Sequence, residues 1–348
     1  MKSYAFPGNI EEEILAVGAT QVPYMRTREF SEINLENERI LLDLIGCRGG
    51  RVIVYTASGT GAMDAIVTNY VATKHQAFII DGGSFGHRWV QLCEYYHLPH
   101  YRYEVGFGRQ IDYADLRRAV ERERPDVFLC QHHETSTGQL FDLEQISGIC
   151  KANGASLVVD VISSFLAEPL DMDALGIDIC VTSTQKGLNV PPGLSVLFFS
   201  SRLNGYEFAH NSYYFDFEDN FKNLLRGQTP FSPATLIFLQ LNARLRALRT
   251  EGGAGANIAR IHERSAHFKD LCRKYGWRIA AENPSAAVTG FFVKEGTGQK
   301  IFRALIEEQN TFVMPSGTPD FLRVSHMGVQ SLSDLDALAA SIHEIENR

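Results

Sequence analysis

Between Arg51 and Asp160 short apolar runs alternate with amphipathic stretches: RVIVYT, GAMDAIVTNYVAT, AFIID, HRWVQLCEYYH, DVFLCQ, LEQISGICKANG and SLVVD. Continuous aliphatic runs suit strands covered on both faces, and the stretches between them suit the covering helices. The rhythm therefore predicts βαβ units and a parallel or mostly parallel sheet, with ligands expected at the carboxyl ends of its strands. DICVTST and LSVLFFS read as two further buried strands, and PATLIFLQLNARLRALRTEGG as a long one-sided helix with a glycine stop. From about Trp277 the pattern changes to AAVTGFFVKE, a helix over Gln299 to Gln309, TFVMPSG, FLRVSHMG and a final helix, which suits a small α+β domain. A large domain over residues 1–250, including the N-terminal segment, and a small C-terminal one over 251–348 are the expected division.

Composition narrows the partners. A net charge of -8 with Lys and Arg dispersed leaves no basic stripe for a phosphate backbone, so nucleic acid is not expected. No apolar run has bilayer length, and MKSYAFPGNIEEE lacks the basic-then-apolar pattern of a secretory leader; a soluble chain with no membrane partner is expected. The six cysteines show no CxxC pair or short-spaced framework, which points to buried thiols in the cytoplasm. No metal site is expected, because His132 and His133 have no third ligand at suitable spacing; polar contacts to a ligand are the preferred role for the two histidines.

Three candidate positions stand at strand ends of the α/β region. Ser58, Gly59 and Thr60 follow a strand and open a helix, where backbone N–H groups and hydroxyls can surround a phosphate; simple helix capping explains the same residues. Lys and Ser/Thr do not follow the glycines as in a P-loop, and Asp64 stands where a dinucleotide fingerprint needs a small residue. Asp160 ends SLVVD, and a buried carboxylate there wants a cation such as a protonated pyridine nitrogen, unless it caps the next turn. Lys186 lies between two apolar strands in TSTQKGLNVPPG, and a partly dry lysine has a lowered pKa and can attack a carbonyl. Phe85 in GGSFGHRW could stack on a planar ring, or be a core aromatic. Arg323, inside the apolar FLRVS, wants a carboxylate for its planar fork, from a substrate or from a structural Glu.

The ordered set SGTGAM, GGSFGHRW, HHETSTG, VVDVISS, STQKGLNVPPG, GQTPFSP and LRVSHMG resembles the class V aminotransferases of pyridoxal-phosphate (PLP) fold type I, in the alanine-glyoxylate, serine-pyruvate and 2-aminoethylphosphonate-pyruvate branch, from about Arg26 to Gly328. The resemblance implies a mostly parallel seven-stranded sheet in the large domain, and PLP bound to Lys186 as a Schiff base. It implies that Ser58, Gly59, Thr60 and Gln185 hold the phosphate, that Phe85 and Ile162 cover the two faces of the ring, that Thr135 donates to its edge and that Asp160 pairs with its nitrogen. It also implies that Arg323 binds the substrate α-carboxylate and that a homodimer shares its sites, Thr229 reaching the neighbour's phosphate. The implied reaction is ping-pong transfer of an amino group from a small amino acid or aminophosphonate to a 2-keto acid such as pyruvate or glyoxylate. Departures are Phe85 where relatives carry Trp or His, and a short N-terminus without the usual Gly-Pro; the segment Tyr24 to Phe30, with Arg26 and Arg28, is where such proteins shape the substrate pocket. The same scaffold also runs decarboxylation, elimination, cyclisation or retro-aldol cleavage, and a non-catalytic PLP-fold binding protein is the remaining alternative.

Overall fold

The computed structural model describes residues 1–348. Seven strands form one sheet: β1 (Arg51–Tyr55), β2 (Ala77–Asp81), β3 (His100–Glu104), β4 (Val127–Gln131), β5 (Ser156–Asp160), β6 (Ile179–Ser183) and β7 (Ser195–Phe199), in the order β1-β7-β6-β5-β4-β2-β3. Only β7 runs against its neighbours; the remaining pairings are parallel. Alternation along the strands explains why both faces are covered. Phe78, Ile80, Phe128, Cys130, Leu157 and Val159 enter one apolar cluster, whereas Ile79, Leu129, Val158 and Val181 enter the cluster on the opposite face. The parallel strands therefore direct the carboxyl ends of β4, β5 and β6 to one edge of the sheet, where Gln131, Asp160 and Ser183 lie.

Helix α1 (Arg28–Ile45) packs on α4 (Thr235–Thr250), while α2 (Gly59–Asn69) and α3 (Gly86–Tyr95) open just beyond β1 and β2. The glycine stop expected after α4 is a short break: Gly252, at φ +100, turns the chain directly into α5 (Gly253–Tyr275), a helix that its sparse apolar periodicity had not marked. A three-stranded antiparallel sheet, β8 (Arg278–Ile279), β9 (Val288–Phe292) and β10 (Phe321–Ser325), follows and packs with α5, α6 (Gly298–Gln309) and α7 (Leu332–Asn347). The first residues, expected in the large domain, do not join its sheet. Lys2–Ser3 pairs in parallel with Thr311–Phe312, and Ser325 N donates to Tyr4 O, because these C-terminal strand edges offer the free backbone partners. No helix is long and apolar enough to cross a membrane, and all six cysteines are buried and unpaired.

Candidate active site

Asp160 ends β5 with 4 % of its surface exposed, and its side chain accepts one hydrogen bond, from Ile162 N at 2.7 Å. It serves the following turn, as a cap would, but one amide does not compensate a buried carboxylate, and burial pushes its pKa up to about 7. Lys186 follows the adjacent strand β6 in a turn closed by Asn189 N donating to Lys186 O and Val190 N donating to Thr184 O. Gly187 is required there, since a Cβ would collide with the Phe165 carbonyl. Lys186 is buried, and its Nζ makes no hydrogen bond or ion pair; it lies 3.4 Å from the Phe6 ring centre and 5.9 Å from that of Phe85. Burial draws its pKa down to about 7, against the pull of Asp160. Two opposite charges thus sit in one dry region without an ion pair, both displaced toward neutrality.

The turn before α2 forms the next wall. Ser58 Oγ accepts from Gly61 N at 3.3 Å, so the capping role is realised, while the amides of Gly59 and Thr60 have no partner. Those free N–H groups at a helix start attract an anion. Arg88 adds a full positive charge: its Nη1 donates to Thr60 Oγ1 at 2.7 Å, and its guanidinium lies 5.4 Å from the Phe85 ring centre. A Cβ on Gly59 would stand 2.5 Å from Ile162 Cδ1, so the glycine lets Ile162 lie against the turn. Gln185, beside Lys186, is half-buried.

Arg323 enters from the other sheet. On β10 it faces Gly290 of β9, where a Cβ would press on Thr137 O at 2.7 Å. That clearance lets the hairpin formed by His133–Glu134 and Gln139–Leu140 approach, and Arg323 Nη1 donates to Thr135 O at 2.8 Å. Nη2 donates to Pro315 O, Nε has no partner, and no carboxylate pairs with the guanidinium, which corrects the alternative of a structural Glu. Thr135 Oγ1 shares a 2.7 Å hydrogen bond with Ser163 Oγ, which meets His133 Nδ1 at 2.9 Å. Burial holds the His133 pKa down at about 3 and that of His132 at about 4, so both rings are neutral. His133 Nδ1 is engaged inside the fold by Ser163, while His133 Nε2 and His132 Nδ1 are buried without a partner.

Thr229 makes no hydrogen bond to this group within one chain. Its Oγ1 donates to Phe231 O, and its carbonyl accepts from Arg26 Nη1 at 2.6 Å. Arg26 also donates to Gln228 Oε1, so it braces the GQTP loop, while Arg28 is an exposed partner of Glu32.

The family model described as aminotransferase class-V matches residues 23–310. The chain belongs to that family. It is a PLP-dependent transaminase of fold type I. The serine–glyoxylate aminotransferase of Hyphomicrobium methylovorum is 30% identical over 312 residues, covering 83% of this aminotransferase and 74% of the relative. A protein of Synechococcus named as the small subunit of a soluble hydrogenase is 26% identical, with 95% and 88% covered. Among solved structures, an alanine–glyoxylate aminotransferase from Nostoc superposes with a TM-score of 0.92 at 22% identity, covering 99% of this chain and 94% of that one.

The residues present in this aminotransferase fit PLP. A buried carboxylate short of a cation, a dry lysine without a partner and a helix start with free amides beside Arg88 match its ring nitrogen, its carbonyl and its phosphate. Sequence reasoning missed Phe6, Arg88 and Glu134. Arg88 and Glu134 stood inside motifs already singled out, GGSFGHRW and HHETSTG, but Phe6 carried no signal: its position over Lys186 depends on the N-terminus pairing with residues 311–312.

Proposed function

We propose that this transaminase takes a small amino donor and a 2-keto acid acceptor, and that Lys186 is both the Schiff-base tether and the group that moves the proton at the donor's Cα. The observation that carries the reading is the Asp160–Lys186 pair, buried, without an ion pair and displaced toward neutrality at the ends of adjacent strands. PLP, when bound, supplies a carbonyl conjugated to an electron-withdrawing ring. A lysine near neutrality is partly free amine at neutral pH, which a nucleophile and proton carrier needs. Asp160 ionises opposite a protonated ring nitrogen and holds the proton there. Phe85 and Ile162 bound the ring's two faces, Thr135 donates to its edge, and Ser58, Gly59, Thr60 and Gln185 take the phosphate with Arg88 behind them.

Arg323, with Nε unpaired, grips the donor's α-carboxylate. The Phe6 ring over Lys186 Nζ leaves little room for a long donor side chain, which favours small amino acids or aminophosphonates, with pyruvate or glyoxylate as acceptor. Thr229 acts on the phosphate of a second copy in a homodimer; within its own chain its hydroxyl is engaged by Phe231 O. The unpaired buried thiols suit a reducing cytoplasm. The separate sheets support a division near residue 250, with the first residues going to the small domain, since Lys2–Ser3 pairs with 311–312 and Tyr4 lies in the C-terminal apolar cluster.

The test is a half-reaction screen. The PLP-loaded protein is mixed with single amino acids and aminophosphonates without keto acid, and loss of the visible absorption of lysine-bound cofactor is followed. Small donors are expected to bleach the band once, stoichiometrically, and pyruvate or glyoxylate to restore it. Continuous turnover of a lone amino acid would replace this reading with decarboxylation, elimination or cleavage.

A further inference from the structure

Glu134 is fully buried, yet every polar contact of its carboxylate is a donor. Phe85 N donates to Oε2 at 3.2 Å and Gly86 N at 3.0 Å, while Ser136 N and Oγ donate to Oε1 at 3.0 and 2.5 Å. Gln131 Nε2 adds a fifth bond at 3.1 Å. Burial raises the carboxyl's pKa, and the donors work against it: of the five, only the Ser136 hydroxyl could also accept a proton, whereas the three backbone amides and the Gln131 amide N–H can only donate, so the hydrogen bonds favour the ionised form. The backbone is shaped around it. A Cβ on Gly83 would lie 2.8 Å from Glu134 Cδ and 2.6 Å from Ser136 Oγ, and one on Gly86 would meet Gln131 Nε2 at 2.5 Å. Two glycines of the GGSFG turn thus clear space for this carboxylate and its partner, and Phe85 is one of the two residues between them.

We propose that Glu134 is a positioning residue that fixes Phe85 against the cofactor by clamping the Gly83–Gly86 turn from beneath; this rests on the reading in which Phe85 stacks on the ring. The amides of Phe85 and Gly86 open α3, and a fixed anion under them holds both the helix start and the direction in which the Phe85 side chain leaves it. Ser136, next to Thr135 on the hairpin, shares the same carboxylate, so one anion ties the stacking residue to the segment that accepts from Arg323.

The experiment is a double-mutant cycle on the holoenzyme with Glu134→Gln, Phe85→Ala and both together, reading the PLP dissociation constant and the visible circular dichroism of bound cofactor. The Gln amide turns a donor toward backbone donors, so Glu134→Gln alone is expected to weaken PLP binding by about 10- to 100-fold and to collapse the dichroic band. In the Phe85→Ala background the same change is expected to matter by less than about threefold, because its route to the cofactor is gone. Glu134→Asp, which keeps the charge but falls short of the two amides, is expected to weaken binding in the same direction and covers the case in which the Gln variant does not fold. Equal losses in both backgrounds, or an unchanged dichroic band in the Gln and Asp variants, would overturn the proposal while leaving Phe85 as the stacking residue. A neutral Phe85→Ala would instead remove the stacking reading, and the proposal with it.

Discussion

Glu134 and Asp160 are two buried carboxylates at or just beyond the carboxyl ends of neighbouring strands, and the fold treats them differently. Five donors surround Glu134, whereas Asp160 receives one. Glu134 is compensated by its own chain and belongs to the architecture. Asp160 is held in a dry place with its charge unanswered, and Lys186 stands nearby in the same condition with the opposite sign. A buried charge left uncompensated costs stability, so the structure carries it where something from outside completes it. In the proposed function, the compensated carboxylate shapes the cradle and the uncompensated pair is where the cofactor reacts.

The largest effect should come from the uncompensated lysine. Lys186→Ala is expected to lower transamination by roughly 10⁴-fold or more, while the cofactor-free protein melts within a few degrees of the parent, because the amine makes no hydrogen bond or ion pair and loses only its contact with the Phe6 ring. Borohydride reduction and peptide mapping check the tether: cofactor still fixed to another lysine would break the contrast. Asp160→Asn should retain PLP and slow proton removal by roughly 10²- to 10³-fold in single turnover, since an amide does not hold a charged ring nitrogen. Near-normal single-turnover rates would place Asp160 beside Glu134 as a structural group.

The pH dependence of stability sharpens the same comparison. The folded pKa of Asp160 is raised from 3.8 to about 7, so the native state holds the proton that the unfolded chain releases. Its contribution therefore turns unfavourable as pH rises from about 4 to about 7 and stays so above that range. For Lys186 the folded pKa falls from 10.5 to about 7, so its cost is fully present below about 7 and fades as pH rises toward 10.5. In urea denaturation of the cofactor-free proteins, Asp160→Asn should gain on the parent between pH 4 and 7, by on the order of a few kcal/mol. A gap that stays constant over that window would mean Asp160 is already compensated.

Arg323 is intermediate, with two carbonyl partners and one unpaired N–H. Arg323→Lys should lose at least about 2 kcal/mol in kcat/KM on donors with an α-carboxylate and little on amines without one. Equal losses on both would make it a clasp between the hairpin and β10. At the bottom of the scale, Arg28→Ala removes an exposed pair with Glu32 and should change stability by less than about 0.5 kcal/mol and leave KM unaltered. A clear rise in KM would bring the 24–30 segment back to the substrate.

The sequence by itself determined the α/β class and most strand positions, and it singled out Asp160, Lys186 and Arg323 as candidates, because aliphatic runs and strand-end charges are local signals that survive without coordinates. The family followed from the order of short motifs, each too weak alone. Only the tertiary structure decided that Lys2–Ser3 crosses to residues 311–312 and so lays Phe6 over Lys186, that Arg26 braces a loop, and that Glu134 is satisfied while Asp160 is not. These are contacts between residues far apart in the chain. The number of donors reaching a carboxylate depends on which backbone amides long-range packing turns toward it, and no periodicity or composition records that.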